Sequence, residues 1–230
     1  MLGIYDYTVI LTYMSALSAI LGIMVCLNGN GHPYLGIFFL LFCGLCDAFD
    51  GKVARTKKNR SDAALRFGIQ IDSFSDLLAF GVLPACIGNA MIRVSPTMEE
   101  IPRISVMSKP VFYITIIRFA ILTFYVLAAL IRLSWFNVSE EIRVKEEGGV
   151  RKYYEGLPVT SAALIFPSVL LLQYVTVTDI TVIYFVVIIL TGFAFISKIR
   201  IKKPSIKGIL ILIGIGAAEF LLLALYKWLK

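Results

Sequence analysis

Charged residues are scarce in this sequence: Asp, Glu, Lys and Arg make up 16% of its 230 residues, where a soluble domain has about 25%. With 59% hydrophobic residues and a mean hydropathy of +0.85, that scarcity excludes an ordinary soluble fold and places the chain in a bilayer. Histidine is limited to one residue, His32. The four cysteines, Cys26, Cys43, Cys46 and Cys86, lie in or at the edges of apolar runs, where they act as small hydrophobes rather than as a disulfide framework. Cys43 and Cys46 form a C-x-x-C, but no second ligand pair accompanies it, so neither zinc nor redox chemistry is expected there. No Pro/Gly/Ser-rich linker, low-complexity tract or internal repeat marks off a soluble portion, and a single membrane-embedded domain over residues 1–230 is expected. No Lys or Arg precedes the first apolar run and no small-residue cleavage site follows it, so that run is expected to be an uncleaved span.

What the sequence does contain is long apolar runs. A hydrocarbon core about 30 Å thick takes roughly 20 apolar residues per helix, and seven runs approach that length, at 8–28, 33–55, 70–92, 111–132, 157–176, 180–197 and 208–228. The expected fold is an all-α integral membrane bundle of six to seven helices. The net charge of +7 is not spread as nucleic-acid binding would require, because the basic residues fall in alternate loops. Lys52, Arg55, Lys57, Lys58, Arg60 and Arg66 lie between the second and third runs. Arg132, Arg143, Lys145, Arg151 and Lys152 follow the fourth, and Lys198, Arg200, Lys202, Lys203 and Lys207 follow the sixth. The positive-inside rule puts these loops and the N-terminus in the cytoplasm and, with seven spans, the C-terminus outside.

Carboxylates at membrane depth are costly and tend to mark function. Asp47 and Asp50 end the second run, and Asp72 and Asp76 begin the third. Spacings of three and four put each pair on one helix face, and an antiparallel helix pair brings the faces together. Four like-charged groups in a low-dielectric region repel strongly or stay protonated unless cations neutralise them. The donors are all hard oxygens, with His32 on the opposite side, which favours Mg²⁺ or Mn²⁺ over zinc. Gly51, Ala54 and Gly68 leave room for a backbone or ligand to approach, and Arg55 is placed to meet phosphate oxygens with its planar fork. Two other readings stand beside this one. The aspartates cap helices and pair with nearby Lys and Arg, or they line a cation transporter, which instead predicts carboxylates near the midplane.

Written out, the stretch is Asp47-x-x-Asp50-Gly51-x-x-Ala54-Arg55, twelve residues, then Gly68-x-x-x-Asp72-x-x-x-Asp76. It resembles the signature of the CDP-alcohol phosphotransferase family at all eight of its positions. The twelve-residue gap is similar to that of the phosphatidylserine synthase branch. So are Phe67-Gly68 leading to Ile71-Asp72-Ser73-Phe74-Ser75-Asp76, the run Phe80-Gly81-Val82-Leu83-Pro84-Ala85, the segment Ile131-Arg132-Leu133-Ser134-Trp135-Phe136-Asn137-Val138, and Tyr154-Glu155-Gly156-Leu157-Pro158.

The resemblance implies a multi-pass enzyme of the cell membrane, with its active site facing the cytoplasm and a tendency to form homodimers. It would transfer a phosphatidyl group from CDP-diacylglycerol to a small alcohol and release CMP. Asp47, Asp50, Asp72 and Asp76 would hold two divalent ions, Mg²⁺ or Mn²⁺, with Asp76 also the general base. Gly51, Ala54, Arg55 and Gly68 would line the CDP pocket, with Ser61 and Asp62 as further candidates. The branch features favour L-serine as acceptor over glycerol 3-phosphate or an inositol compound. A zwitterionic acceptor needs a cation for its carboxylate and an oxygen for its ammonium. Arg118, alone inside the fourth run, and Arg132 and Asn137 at its end are the candidates. The competing role for Arg118 is an internal pair with Glu219, and for Arg132 an interfacial anchor. Lys57, Lys58 and Arg60 are assigned to orientation and anionic-lipid contact.

Overall fold

The computed structural model describes residues 3–29, 31–57, 59–95, 109–146, 153–176 and 179–202, together with 211, 214, 215, 217, 218, 221, 222 and 225. Glu219, Trp228 and most of the expected seventh span lie outside the described residues. Helices dominate. A 3-10 turn at Tyr7–Val9 leads into α1 (Ile10–Leu27), followed by α2 (Pro33–Ala54) and α3 (Asp62–Asp76). A π-helical turn at Leu77–Val82 joins α3 to α4 (Leu83–Val94), and α5 spans Lys109–Glu146, α6 Ala162–Thr176 and α7 Thr181–Ile196. Two short strands, β1 (Tyr153–Glu155) and β2 (Arg200–Lys202), pair antiparallel, with Tyr154 opposite Ile201.

Four helical rods are long and apolar enough to cross a membrane: Tyr7–Leu27, Pro33–Ala54, Asp62–Val94 and Phe112–Glu146. Two shorter apolar helices, Val159–Gln173 and Thr181–Ile196, cover the expected fifth and sixth spans. The third rod departs from expectation by starting at Asp62 rather than near residue 70. Its 33 residues reach about 50 Å at 1.5 Å per residue, so Asp72 and Asp76 sit well inside a helix instead of at its start. Ser61 sets that start by accepting the Ala64 amide at 3.2 Å, the N-cap bond that satisfies an otherwise orphaned donor.

The fourth rod also overruns its expected end, continuing to Glu146. Arg143 and Lys145, expected in a loop, lie on this helical extension and pair with Glu140 and Glu141 at 2.7 and 2.8 Å. Such i,i+3 and i,i+4 pairs stabilise a helix where it leaves apolar surroundings.

Packing relies on small residues where helices cross. A Cβ added at Gly36 would lie 2.5 Å from Cys26 Sγ, and one at Gly44 would lie 2.6 Å from the Ala163 Cβ. Only a bare backbone allows that approach. Aromatic rings fill the centre: Tyr125, Phe166, Tyr184, Phe195 and Phe80 are fully buried, and Tyr125 stands 5.7 Å from Phe166, edge to face. Cys43 is buried and donates to Ser15 O at 3.3 Å, in keeping with a packing role for the C-x-x-C sulfurs.

The two ends of the bundle are tied differently. At one end, Arg93 Nη2 donates to the carbonyls of Cys26, Asn28 and Gly31 at 2.6, 3.1 and 3.1 Å, serving the Cys26 acceptor in the last turn of α1 and tying down the turn that follows. At the other, Asp6 accepts from Thr8 N and from Lys57 Nζ, both at 2.8 Å. That pair ties the N-terminal turn to the α2–α3 loop at one end of the bundle. Lys57, then Thr8, holds the Asp6 carboxyl well below the usual carboxylate range.

Gly156 has a φ of +75°, and a Cβ there would meet Phe195 O at 2.7 Å. Its N–H donates to Ile199 O at 2.8 Å. The turn before α6 is thereby closed onto the end of α7, and only glycine takes that conformation without strain.

Candidate active site

The site forms where the last two turns of α2 meet the C-terminal half of α3. Asp47 and Asp50 share one face of α2, and Asp72 and Asp76 share one face of α3. Carboxylate oxygens of Asp47, Asp50 and Asp72 all lie within 4.8 Å of one another. Asp76, one turn beyond Asp72, is not part of that triad. Among the described residues, none of the four is ion-paired with Lys or Arg, so the reading of these groups as helix caps paired with local cations is not what the geometry shows.

Three ionised carboxylates at that separation repel by about 3.5 kcal/mol per pair at an effective dielectric of about 20. A divalent cation removes the conflict, and an all-oxygen donor set fits a hard ion such as Mg²⁺ or Mn²⁺. The single histidine is not a rival ligand. His32 caps the other end of α2, where its Nδ1 accepts the Tyr34 amide at 3.3 Å.

The surroundings of the triad come from both helices. Arg55 is the C-cap residue of α2, and its Nη1 would lie 3.6 Å from a Cβ added at Gly51, one turn back on the same helix. Gly68 lies one turn before Asp72. Of the further nucleotide candidates, Ser61 is committed to capping α3, and Asp62 is exposed in its first turn.

Behind Asp76 the helix changes pitch. Pro84 has no N–H for the Phe80 carbonyl four residues back, and its ring crowds that carbonyl. The π turn at Leu77–Val82 widens the helix there, with Leu83 N bonding Leu78 O. The Tyr125 hydroxyl donates to Phe80 O at 2.7 Å, and the Tyr184 hydroxyl donates to Pro84 O at 2.9 Å. Single-turn π segments inside α-helices concentrate at functional sites, and this one begins at the residue after Asp76.

The three acceptor candidates separate. Asn137 Nδ2 donates to Ser73 Oγ at 2.8 Å, next to Asp72. Arg132 is buried, with Nε on Leu157 O at 3.3 Å and its guanidinium over Phe136 at 5.5 Å. Arg118 is not brought to the aspartates: it precedes Asn137 by 19 residues on one helix, about 28 Å of rise. Its guanidinium lies over the Phe119 ring at 4.6 Å.

Spacing alone missed three features: the Asn137–Ser73 bond, the π turn, and Arg60, whose Nη2 would lie 2.7 Å from a Cβ at Gly68. The first two had signals in Asn137 at the end of a span and in Pro84 inside one. Arg60 had none, because it precedes the helix it folds onto.

The family model described as CDP-alcohol phosphatidyltransferase matches residues 8–197. A Saccharomyces cerevisiae protein named CDP-diacylglycerol–serine O-phosphatidyltransferase is 34% identical over 162 residues, covering 67% of this chain and 50% of that protein. A Methanothermobacter thermautotrophicus protein named archaetidylserine synthase is 30% identical over 69% of this chain and 55% of its own length. A Helicobacter pylori protein, also named CDP-diacylglycerol–serine O-phosphatidyltransferase, is 26% identical over 85% of this chain and 71% of its own length. The chain thus matches about half the length of the first two relatives.

Proposed function

The chain belongs to the CDP-alcohol phosphatidyltransferase family, and from that premise we propose that it transfers a phosphatidyl group from CDP-diacylglycerol to L-serine, giving phosphatidylserine and CMP. The observation that carries this reading is the triad of Asp47, Asp50 and Asp72 within 4.8 Å, inside the signature Asp47–Asp76. The relatives named for serine transfer support the acceptor.

Asp47, Asp50, Asp72 and Asp76 would hold two divalent ions, Mg²⁺ or Mn²⁺, which when bound neutralise the pyrophosphate and the charge building on the attacking and leaving oxygens. Gly51, Ala54 and Gly68 leave the faces of α2 and α3 open to the CDP moiety, and the Arg55 fork meets its phosphate oxygens. The acyl chains stay in the bilayer. Asp76 takes the proton of the serine hydroxyl, a role that needs an acceptor within hydrogen-bond reach. The serine oxygen forms a bond to the phosphorus that carries diacylglycerol, the bond from that phosphorus to CMP breaks, and no covalent enzyme intermediate is required. Arg132 pairs with the serine carboxylate, and the Asn137 side-chain oxygen accepts from its ammonium. The basic residues Lys52, Arg55, Lys57, Arg60 and Arg66 beside the aspartates support a site facing the cytoplasm, on a multi-pass protein of the cell membrane that acts as a homodimer of single-domain chains.

The testing experiment is CMP release by the purified protein with CDP-diacylglycerol and Mg²⁺ or Mn²⁺, with serine, inositol and glycerol 3-phosphate compared and Asp76→Asn alongside. Release with serine alone, abolished in the variant, is expected. Release only with another acceptor overturns serine and keeps the chemistry, while no release from folded protein overturns the enzyme. Because one relative is named archaetidylserine synthase rather than for a phosphatidyl product, a CDP-linked ether donor belongs in the same assay.

A further inference from the structure

We propose that Arg60 is a second phosphate-binding arginine of the donor pocket, its guanidinium seated over Gly68 to receive the diphosphate of the CDP-linked lipid. The inference rests on reading the site as a CDP-lipid site and adds to it a ligand residue outside the signature.

The two signature glycines are covered in the same manner. The nearest atoms to a Cβ added at Gly51 belong to the Arg55 guanidinium, at 3.6 to 4.0 Å, and the nearest to one at Gly68 belong to the Arg60 guanidinium, at 2.7 to 4.0 Å. By contrast, Gly36 and Gly44 face side chains of neighbouring helices. Nothing but a flexible arginine tip lies against Gly68, so helix packing does not demand a glycine there. The opening serves whatever occupies the space above it. Gly68 is one turn from Asp72 and Gly51 is next to Asp50, so the two guanidinium groups stand near the carboxylate triad, one over a glycine of each helix.

The bonding of Arg60 points the same way. Nη2 donates to Ala64 O at 3.1 Å, while Nε is buried without a partner. Among the described residues the guanidinium has no ion pair. A guanidinium has five N–H donors in a rigid fork, and a buried donor left unmade is costly. A phosphate accepting from the fork satisfies it bidentately, and among the described residues no carboxylate is ion-paired with it. Lys57, in the same loop, is already engaged by Asp6 at 2.8 Å, which distinguishes Arg60 from a general loop charge. Phosphate oxygens also occur on anionic lipids, so the test separates the soluble nucleotide from the bilayer surface.

The experiment is calorimetric binding of CDP, with Mn²⁺ present, to the purified protein in neutral detergent, paired with CMP-release kinetics. Arg60→Gln should weaken CDP binding about 10- to 100-fold, the loss of a charge-assisted fork, and raise KM for the donor with KM for serine unchanged. Lys57→Gln should bind CDP as the wild type does. Arg60→Lys, which keeps charge but not the planar fork, should lose at least about threefold, and it decides the matter alone if Arg60→Gln does not purify folded. Wild-type CDP affinity in the Arg60 variants, or an equal loss in Lys57→Gln, overturns the proposal. So does unchanged CDP affinity with activity lost only on vesicles containing phosphatidylglycerol, which would move Arg60 to the lipid surface. If the wild type neither binds CDP nor releases CMP, it is the CDP-lipid reading itself that fails.

Discussion

Replacing Tyr125 with Phe removes one oxygen from the centre of the bundle and tests how the helix behind Asp76 is held. The ring would keep its seat, 5.7 Å from Phe166 and 5.5 Å from Phe195, so no cavity of consequence forms. What disappears is the donor to Phe80 O at 2.7 Å, at a carbonyl that Pro84 cannot serve. A buried carbonyl deprived of its donor costs about 1–3 kcal/mol. Tyr184→Phe is the internal comparison, because Pro84 O, its acceptor, has a residue with an N–H, Gly88, four positions on; a loss near 0.5–1.5 kcal/mol is expected there. The assay is reversible denaturation in mixed micelles, with CMP-release kcat measured on the same preparations. Tyr125→Phe should be the less stable of the two and should lower kcat, because the π turn it braces begins at the residue after Asp76. Equal stability of Tyr125→Phe and wild type, within about 0.5 kcal/mol, with kcat unchanged, would refute the account of the π turn.

Asp72→Asn removes the α3 member of the carboxylate triad and should weaken Mn²⁺ binding more than about 10-fold, read by calorimetry without substrate. Asn137→Ala should raise KM for serine about 10-fold, roughly 1.4 kcal/mol, while KM for the CDP-linked donor stays put; a change confined to the donor would move Asn137 out of the acceptor site. Asp6→Asn tests the N-terminal tether. Since Lys57 depresses the Asp6 carboxyl, the stabilisation is full above the ordinary carboxylate value of about 3.9 and is lost as pH falls through the depressed folded value. The variant should therefore melt below wild type at pH 7, and the gap should close in strong acid.

The parts of the fold that follow from one-dimensional pattern were readable from the residues. Apolar runs near 20 residues located α1 and α2 closely, and two pairs of aspartates at helical spacing located the site, because both depend only on periodicity within a segment. Helix ends were less legible. The overrun of α5 to Glu146 rests on i,i+3 and i,i+4 pairs among residues that, counted as charges, look like loop. The early start of α3 at Asp62 rests on one cap, Ser61, inside a stretch dominated by Lys and Arg. Hydropathy marks where a helix is apolar, and a helix that continues into polar surroundings has to be recognised by its caps and pairs.

The site shows the same division at closer range. Asp47, Asp50 and Asp72 converge because two helix faces meet, which spacing predicts. Whether a residue on a third element joins them depends on register between helices, and no spacing encodes it. Asn137 reaches Ser73 while Arg118 lies about 28 Å back along the same helix, though both look alike as polar residues at a span. Arg60 is harder still, since its side chain reaches forward from outside α3 onto a glycine two turns into it. Gly68 could be placed in the CDP pocket from its position, but what a missing side chain makes room for becomes visible only when the atoms above it are known. There the nearest of them is the nitrogen of a guanidinium, a group whose remaining donors match the phosphate oxygens of the proposed substrate.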